Sequence, residues 1–341
     1  MATEPSASRL PWRTLFIGIL TIGLLWLFVS SIDLREVGRH IRQARPLYII
    51  AAVVVTMLTY GVRATRWRVL LTPIGRARYR TAFRTTVIGF AATFLLPGRV
   101  GEVLRPFLLA RTEGLNATST FATIIVERLL DMCTVLLLFD VAIAASGLDV
   151  GPEVRAAGIV AAVVSVAGLA ALFVFAGHPE RLGRWTMRLA ARLPARFAEK
   201  AGRFVQTFAE GLKILRSPGH LALAIAWSLP LWISIALGIW LTSRAFDLTF
   251  SFVGSFLVMG YLLVGVSLPT PGGAGGFHTL YLLALTRIFG ADPDVAGAAA
   301  IVLHAVSFVP VTLLGLVFMW QDGLTFGNLK GLRAEARAET S

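Results

Sequence analysis

Two short stretches decide how this chain folds: Leu96-Pro97-Gly98-Arg99-Val100-Gly101 and Thr270-Pro271-Gly272-Gly273-Ala274-Gly275. The first interrupts an apolar run over 83–110, the second a run over 250–289. Proline lacks a backbone donor, and glycine adopts dihedrals closed to other residues. Both runs are therefore expected to break inside the bilayer instead of crossing it as one helix. Proline, both glycines and a trailing Leu-Leu-Ala (108–110 and 282–284) all match at one spacing of 174 residues, from Pro97 to Pro271. Hairpin breaks are thus expected at Pro97, Gly98 and Gly101, and at Pro271, Gly272, Gly273 and Gly275.

Composition sets the surroundings. The 341 residues are 56% apolar and 15% charged, where a soluble domain is about 45–50% apolar and about 25% charged. Mean hydropathy is +0.74. Disorder, a collagen-like chain and a soluble nucleic-acid binder are excluded. The formal net charge of +13 reads as cytoplasmic loops facing anionic headgroups, not as a nucleic-acid partner. Cys133 is the sole cysteine and reads as packing. No Cys/His spacing points to a metal, and no motif points to a cofactor.

Six further segments are long enough to cross: 14–31, 44–62, 121–145, 156–176, 220–241 and 295–320. The first begins like a signal peptide but reads as a retained anchor. Residues 61–84 hold seven arginines and no acid, and 177–218 hold seven arginines and two lysines, so both are placed in the cytoplasm. The link 32–46, with four arginines, falls outside against that rule. Segments 121–145 and 156–176 make one round trip between the two basic loops. The run 83–110 must then start and end on the cytoplasmic side, and 250–289 on the outer side. The expected fold is an all-α polytopic membrane protein, one integral domain over 1–341. It has six full spans, two re-entrant or broken helical hairpins, and both termini in the cytoplasm. The halves, 14–145 and 156–320, read as inverted-topology repeats. A stripe of Leu and aromatic residues over 181–216 reads as cytoplasmic amphipathic helices. A helical hairpin docked on the bundle is its close alternative.

Helix starts after the breaks point free N–H groups inward, and such ends favour anions. Arg99 lies in the first break, Glu102 and Arg105 share a face after it, and Glu127, Arg128 and Asp131 lie within 121–145. Ionisable groups at this depth need partners or water. Interhelical cross-bracing, such as Glu102 to Arg128, is one reading. A polar path or an anionic headgroup site is the other. His278, after the second break, and His304, in the last span, read as hydrogen-bonded structural residues or as proton carriers.

The chain resembles the lysylphosphatidylglycerol synthase transmembrane domain family, also called flippase-like integral membrane proteins. The resemblance rests on Arg66-Trp67-Arg68 with Leu70-Leu71, on Pro97 through Arg105, on Val126-Glu127-Arg128-Leu129-Leu130-Asp131 and on Leu268 through Gly275. It implies an inner-membrane protein connected with lipid translocation and not itself an enzyme, since the soluble synthase part of the bifunctional relatives is not seen. Phe277-His278 stands where relatives usually have a glutamate, and His304 where an arginine is common. The resemblance implies a membrane lipid with an anionic headgroup as substrate, a phospholipid or a polyprenyl-phosphate lipid. A lipid-synthesising enzyme and a second copy of the chain are further partners to consider. Two alternatives stand beside transport: a non-transporting accessory or lipid-binding protein, and an intramembrane enzyme built on Ser267 with His278 or His304. No phosphate-binding Gly-rich Lys-Ser/Thr loop is present.

Overall fold

The computed structural model describes residues 12–96, 99–146, 151–178, 185–186, 188 and 195–324. Among them the chain forms twelve α-helices and no strand. The first seven are α1 (Trp12–Val29), α2 (Leu34–Gln43), α3 (Pro46–Leu71), α4 (Tyr79–Leu95), α5 (Val100–Glu113), α6 (Ala117–Ser146) and α7 (Pro152–Gly177). Then follow α8 (Ala195–Gly211), α9 (Pro218–Ala245), α10 (Gly254–Ser267), α11 (Gly276–Phe289) and α12 (Pro293–Gln321). Short 3₁₀ turns lie at Lys213–Arg216 and Pro271–Gly273.

Length sorts these helices. The six long ones (α1, α3, α6, α7, α9 and α12) run from about 27 to about 45 Å at 1.5 Å per residue, and they correspond to the six expected spans. The other six are short: α2 and α8, and the four hairpin helices α4, α5, α10 and α11, which run about 21–26 Å, less than the roughly 30 Å of a hydrocarbon core. Helices α3, α9 and α12 are each apolar and long enough to cross unaided, and α1 and α2 form a pair bent by 75°. The chain is a helical polytopic membrane protein.

Helix starts are local in origin. Proline stands at the first position of α3, α9 and α12, where its missing donor costs nothing. Asp33 caps α2 by accepting from Arg35 N, and Asp292 caps α12 by accepting from Asp294 N and Val295 N. Such caps contribute about 1 kcal/mol each.

Three packing relations order the bundle. Helix α3 lies along α9, α4 against α5 and α12, and α10 against α11 and α6. At the α3–α9 crossing Thr59 Oγ1 donates to Ser234 Oγ at 2.8 Å. Each short pair closes on facing glycines. A Cβ on Gly101 would lie 1.7 Å from Gly89 O, and a Cβ on Gly276 would lie 2.5 Å from Gly265 O. No larger residue permits these backbone approaches.

Three expectations change. The span 44–62 continues to Leu71, because its arginines meet carboxylates on α6. The link 32–46 is not a loop. Most of it is α2, whose Val37 packs beneath Gly297 of α12 while Leu34, Arg35, Arg39 and Ile41 stay exposed. Of the 181–216 segment, all but 185–186, 188 and 195–216 lies outside the described residues. Within it Leu212, Ile214 and Leu215 are buried with Trp67, Leu70 and Leu71, and Gly211 abuts Ser119. This end of the segment packs on the bundle, its apolar residues covered by α3 and α6.

Candidate ligand-binding site

The site starts from three arginines. Helix α3 presents Arg63 and Arg66 three residues apart, and α5 presents Arg105. All are under one-tenth exposed, as are Glu127 and Asp131, one turn apart on α6. Arg105 grips both Glu127 oxygens at 3.1 Å and lies over the Trp67 ring at 3.8 Å. Arg66 Nη1 donates to Asp131 Oδ1 at 2.6 Å and to Ser228 Oγ at 3.0 Å. Trp232 Nε1 donates to the same Asp131 oxygen at 2.9 Å. Residues from both halves of the chain therefore close one network. A buried ion pair is strong only when its other polar atoms find partners. From α9, Ser228 accepts from Arg66 and Trp232 donates to Asp131, while Arg66 Nε and Nη2, Arg105 Nε and Asp131 Oδ2 have no hydrogen-bond partner among the described residues.

Arg63 is held differently. Its Nη1 lies 3.5 Å from Glu127 and 3.8 Å from Asp131, beyond hydrogen-bond length. Its Nε and Nη1 meet no acceptor among the described residues. It faces a cavity of about 230 Å³ between α3, α4, α9, α10, α11 and α12, walled by Phe90, Phe94, Met259, Leu262, Phe277 and Phe308 among others.

Arg128 reaches the same cavity. It lies 3.5 Å from Glu102 and 3.7 Å from Asp131, so the expected Glu102–Arg128 brace is present. Arg99, in the first break, has a left-handed backbone (φ 53°) and donates to Val266 O at the end of α10. The breaks lie close: a Cβ on Gly272 would be 3.5 Å from Phe94 O. Gly272, Gly273 and Gly275 all have positive φ, consistent with a break, while Pro97 and Gly98 lie outside the described residues. Gly101 falls inside α5, where it serves the close contact with Gly89 instead of the turn.

His278 and His304 stack with ring centroids 4.6 Å apart, and His304 Nε2 is 3.0 Å from Gly272 O. Phe28, Phe277 and Phe308 surround the pair. Ser267 Oγ donates to Leu263 O of its own helix, the ordinary behaviour of a helical serine.

The sequence reading placed Arg63 and Arg66 in a loop, took Trp67 only as part of a family motif, and passed over Ser228 and Trp232. The signal was the i, i+3 spacing of two arginines with no acid nearby, read as loop charge because their partners lie some 60 residues on.

A family model described as the lysylphosphatidylglycerol synthase TM region matches residues 14–315. A UPF0104 membrane protein of Methanothermobacter thermautotrophicus is 25% identical over 318 residues, covering 88% of this chain and 92% of its own length. One of Methanocaldococcus jannaschii is 22% identical over 315 residues, covering 88% and 93%. A protein named glycosyltransferase AglD, of Haloferax volcanii, is 25% identical over 328 residues, which take in 87% of this chain and 52% of that protein. The chain belongs to the lysylphosphatidylglycerol synthase transmembrane-region family.

Proposed function

We propose that the chain is a flippase-like lipid transporter that moves an amphiphile with an anionic headgroup, a phospholipid or a polyprenyl-phosphate lipid, across the cytoplasmic membrane. One observation carries the reading. A mainly apolar cavity at the meeting of the two broken hairpins has Arg63 and Arg128 in its wall and no carboxylate. An anionic head can pair there while its chains stay in apolar surroundings. Inverted repeats over 14–145 and 156–320, with both termini cytoplasmic, fit alternating access. The short helix pairs α4–α5 and α10–α11, each closed on facing glycines, support that arrangement, and exposed Arg76, Arg78 and Arg80 between α3 and α4 support a cytoplasmic face there.

In this reading Arg99, Glu102, Arg105, Glu127, Arg128, Asp131, His278 and His304 line or brace the headgroup path, and no catalytic step is assigned to the chain. AglD is named a glycosyltransferase, and this chain matches about half of it; glycosyl transfer is not carried over. The test is reconstitution of the purified chain alone in vesicles with headgroup-labelled lipid on one leaflet. Protein-dependent exposure of the label on the other leaflet is the expected result. Absence of movement for every lipid tried, from protein shown to be folded, would leave a lipid-binding or accessory role in its place.

A further inference from the structure

We propose that Arg63 is the ligand-reading residue of the cavity, and that it takes one singly charged oxyanion, a phosphodiester or a carboxylate, carried on an apolar body. The inference deepens the lipid reading above and rests on it only for the ligand's being a lipid.

The argument is a charge count followed by geometry. Three buried guanidinium groups face two buried carboxylates. Each charge removed from water needs a partner, because an uncompensated one costs several kcal/mol. Arg105 uses both oxygens of Glu127, and Arg66 uses Oδ1 of Asp131. Arg66 and Arg105 also keep nitrogens without an acceptor among the described residues, but each donates to a carboxylate. Arg63 stands 3.5 and 3.8 Å from the two carboxylates, its Nε and Nη1 without an acceptor among the described residues, and is the surplus cation.

The face of Arg63 that the carboxylates do not use opens on the cavity. Arg128 is the other charged residue of that wall among the described residues, and it already leans on Glu102 and Asp131. The deficit is therefore one negative charge. A phosphomonoester carries about 1.5–2 charges at neutral pH, and a pyrophosphate more, so both overshoot. Zwitterionic heads bring their own cation beside two arginines. The rest of the wall, with Phe90 and Phe94 on one side and Leu262, Phe277 and Phe308 on the other, accepts hydrocarbon. The Phe90 ring, 4.9 Å from the Arg63 guanidinium, holds that head in place beneath the cavity.

The experiment is equilibrium binding, read by native mass spectrometry on the full chain in phosphatidylcholine nanodiscs. The discs are doped at equal mole fraction with phosphatidylglycerol (a phosphodiester) or with phosphatidic acid (a phosphomonoester). Soluble glycerophosphoglycerol serves as the tail-free competitor. We expect phosphatidylglycerol to be retained over phosphatidic acid, and R63Q to lower its retention about tenfold or more, as loss of a charged hydrogen bond does. R63K should keep part of the retention, which separates charge from fold, and exposed Arg76→Gln should keep all of it. Equal retention by R63Q, or phosphatidic acid bound as well as phosphatidylglycerol, overturns the assignment. Full competition by the tail-free head at matched concentration overturns the apolar body. Because binding is read without transport, a chain that binds as described but moves no lipid sinks the transporter reading alone.

Discussion

Beside the first break, Glu102 and Arg128 meet at 3.5 Å; at the matching place beside the second, His278 and His304 stack with ring centroids 4.6 Å apart. The match is positional. From 102 to 278, from 105 to 281 and from 128 to 304 the spacing is 176 residues. Arg105 stacks on Trp67, and Tyr281, its counterpart, shares a 2.7 Å hydrogen bond with Ser243. Arg99 and Gly275, both at positive φ, immediately precede α5 and α11. The first hairpin thus carries ion pairs where the second carries rings and hydroxyls. Glycines hold the closest approach in each hairpin, Gly89 with Gly101 and Gly265 with Gly276, while the side chains beside them differ in chemistry.

The comparison breaks first at Glu127. Its counterpart position holds Leu303, so the charged solution exists in one half only. E127Q leaves three buried arginines facing one carboxylate and should cost about 3–5 kcal/mol, read as a fall in thermal unfolding temperature in detergent. If Arg63 is the surplus cation, E127Q with R63Q should recover part of that loss. A double variant no more stable than E127Q would show that the charges do not act as one balance.

The glycine pairs come next. Gly101→Ala and Gly276→Ala both force the hairpin arms apart, at about 1–3 kcal/mol for overpacking. The first should exceed the second, since its added carbon lies nearer to the facing carbonyl. The same unfolding measurement checks the order, and the reverse order would deny the two contacts their common origin.

Two smaller effects sharpen the contrast. Y281F removes the bond to Ser243 and should cost about 1 kcal/mol. E102Q removes an ion pair whose side chains are 31% and 40% exposed, so less than about 1 kcal/mol is expected. A larger loss at Glu102 than at Tyr281 would mean that the Arg128 pair is drier than its exposure indicates.

The fold was legible to the degree that apolar runs and helix breakers write it. Pro97 and Pro271 marked both hairpins, and six spans followed from length. The motifs repeat at 174 residues, whereas the first residues of α5 and α11, Val100 and Gly276, lie 176 apart. Glu127 and Asp131 announced that arginines must be near, but their main partners, Arg66 and Arg105, sit on other helices, and no local pattern names a partner across a bundle. Arg66 itself looked like loop charge. Only the packing of α3 on α6 shows that it is core. Residues 32–46 misled for the opposite reason: an amphipathic helix with a basic face has the composition of a loop.

The bond from Arg99 to Val266 O spans 167 residues. A nascent chain grows by about 5–20 residues per second, so roughly ten to thirty seconds separate the emergence of the donor from that of its acceptor. Ser228, which accepts from Arg66, and Trp232, which donates to Asp131, are also late arrivals. Through that interval the amino-terminal half holds arginines in or near hydrocarbon with unfinished company. The order of synthesis thus leaves the amino-terminal arginines the first to arrive and among the last to be fully partnered.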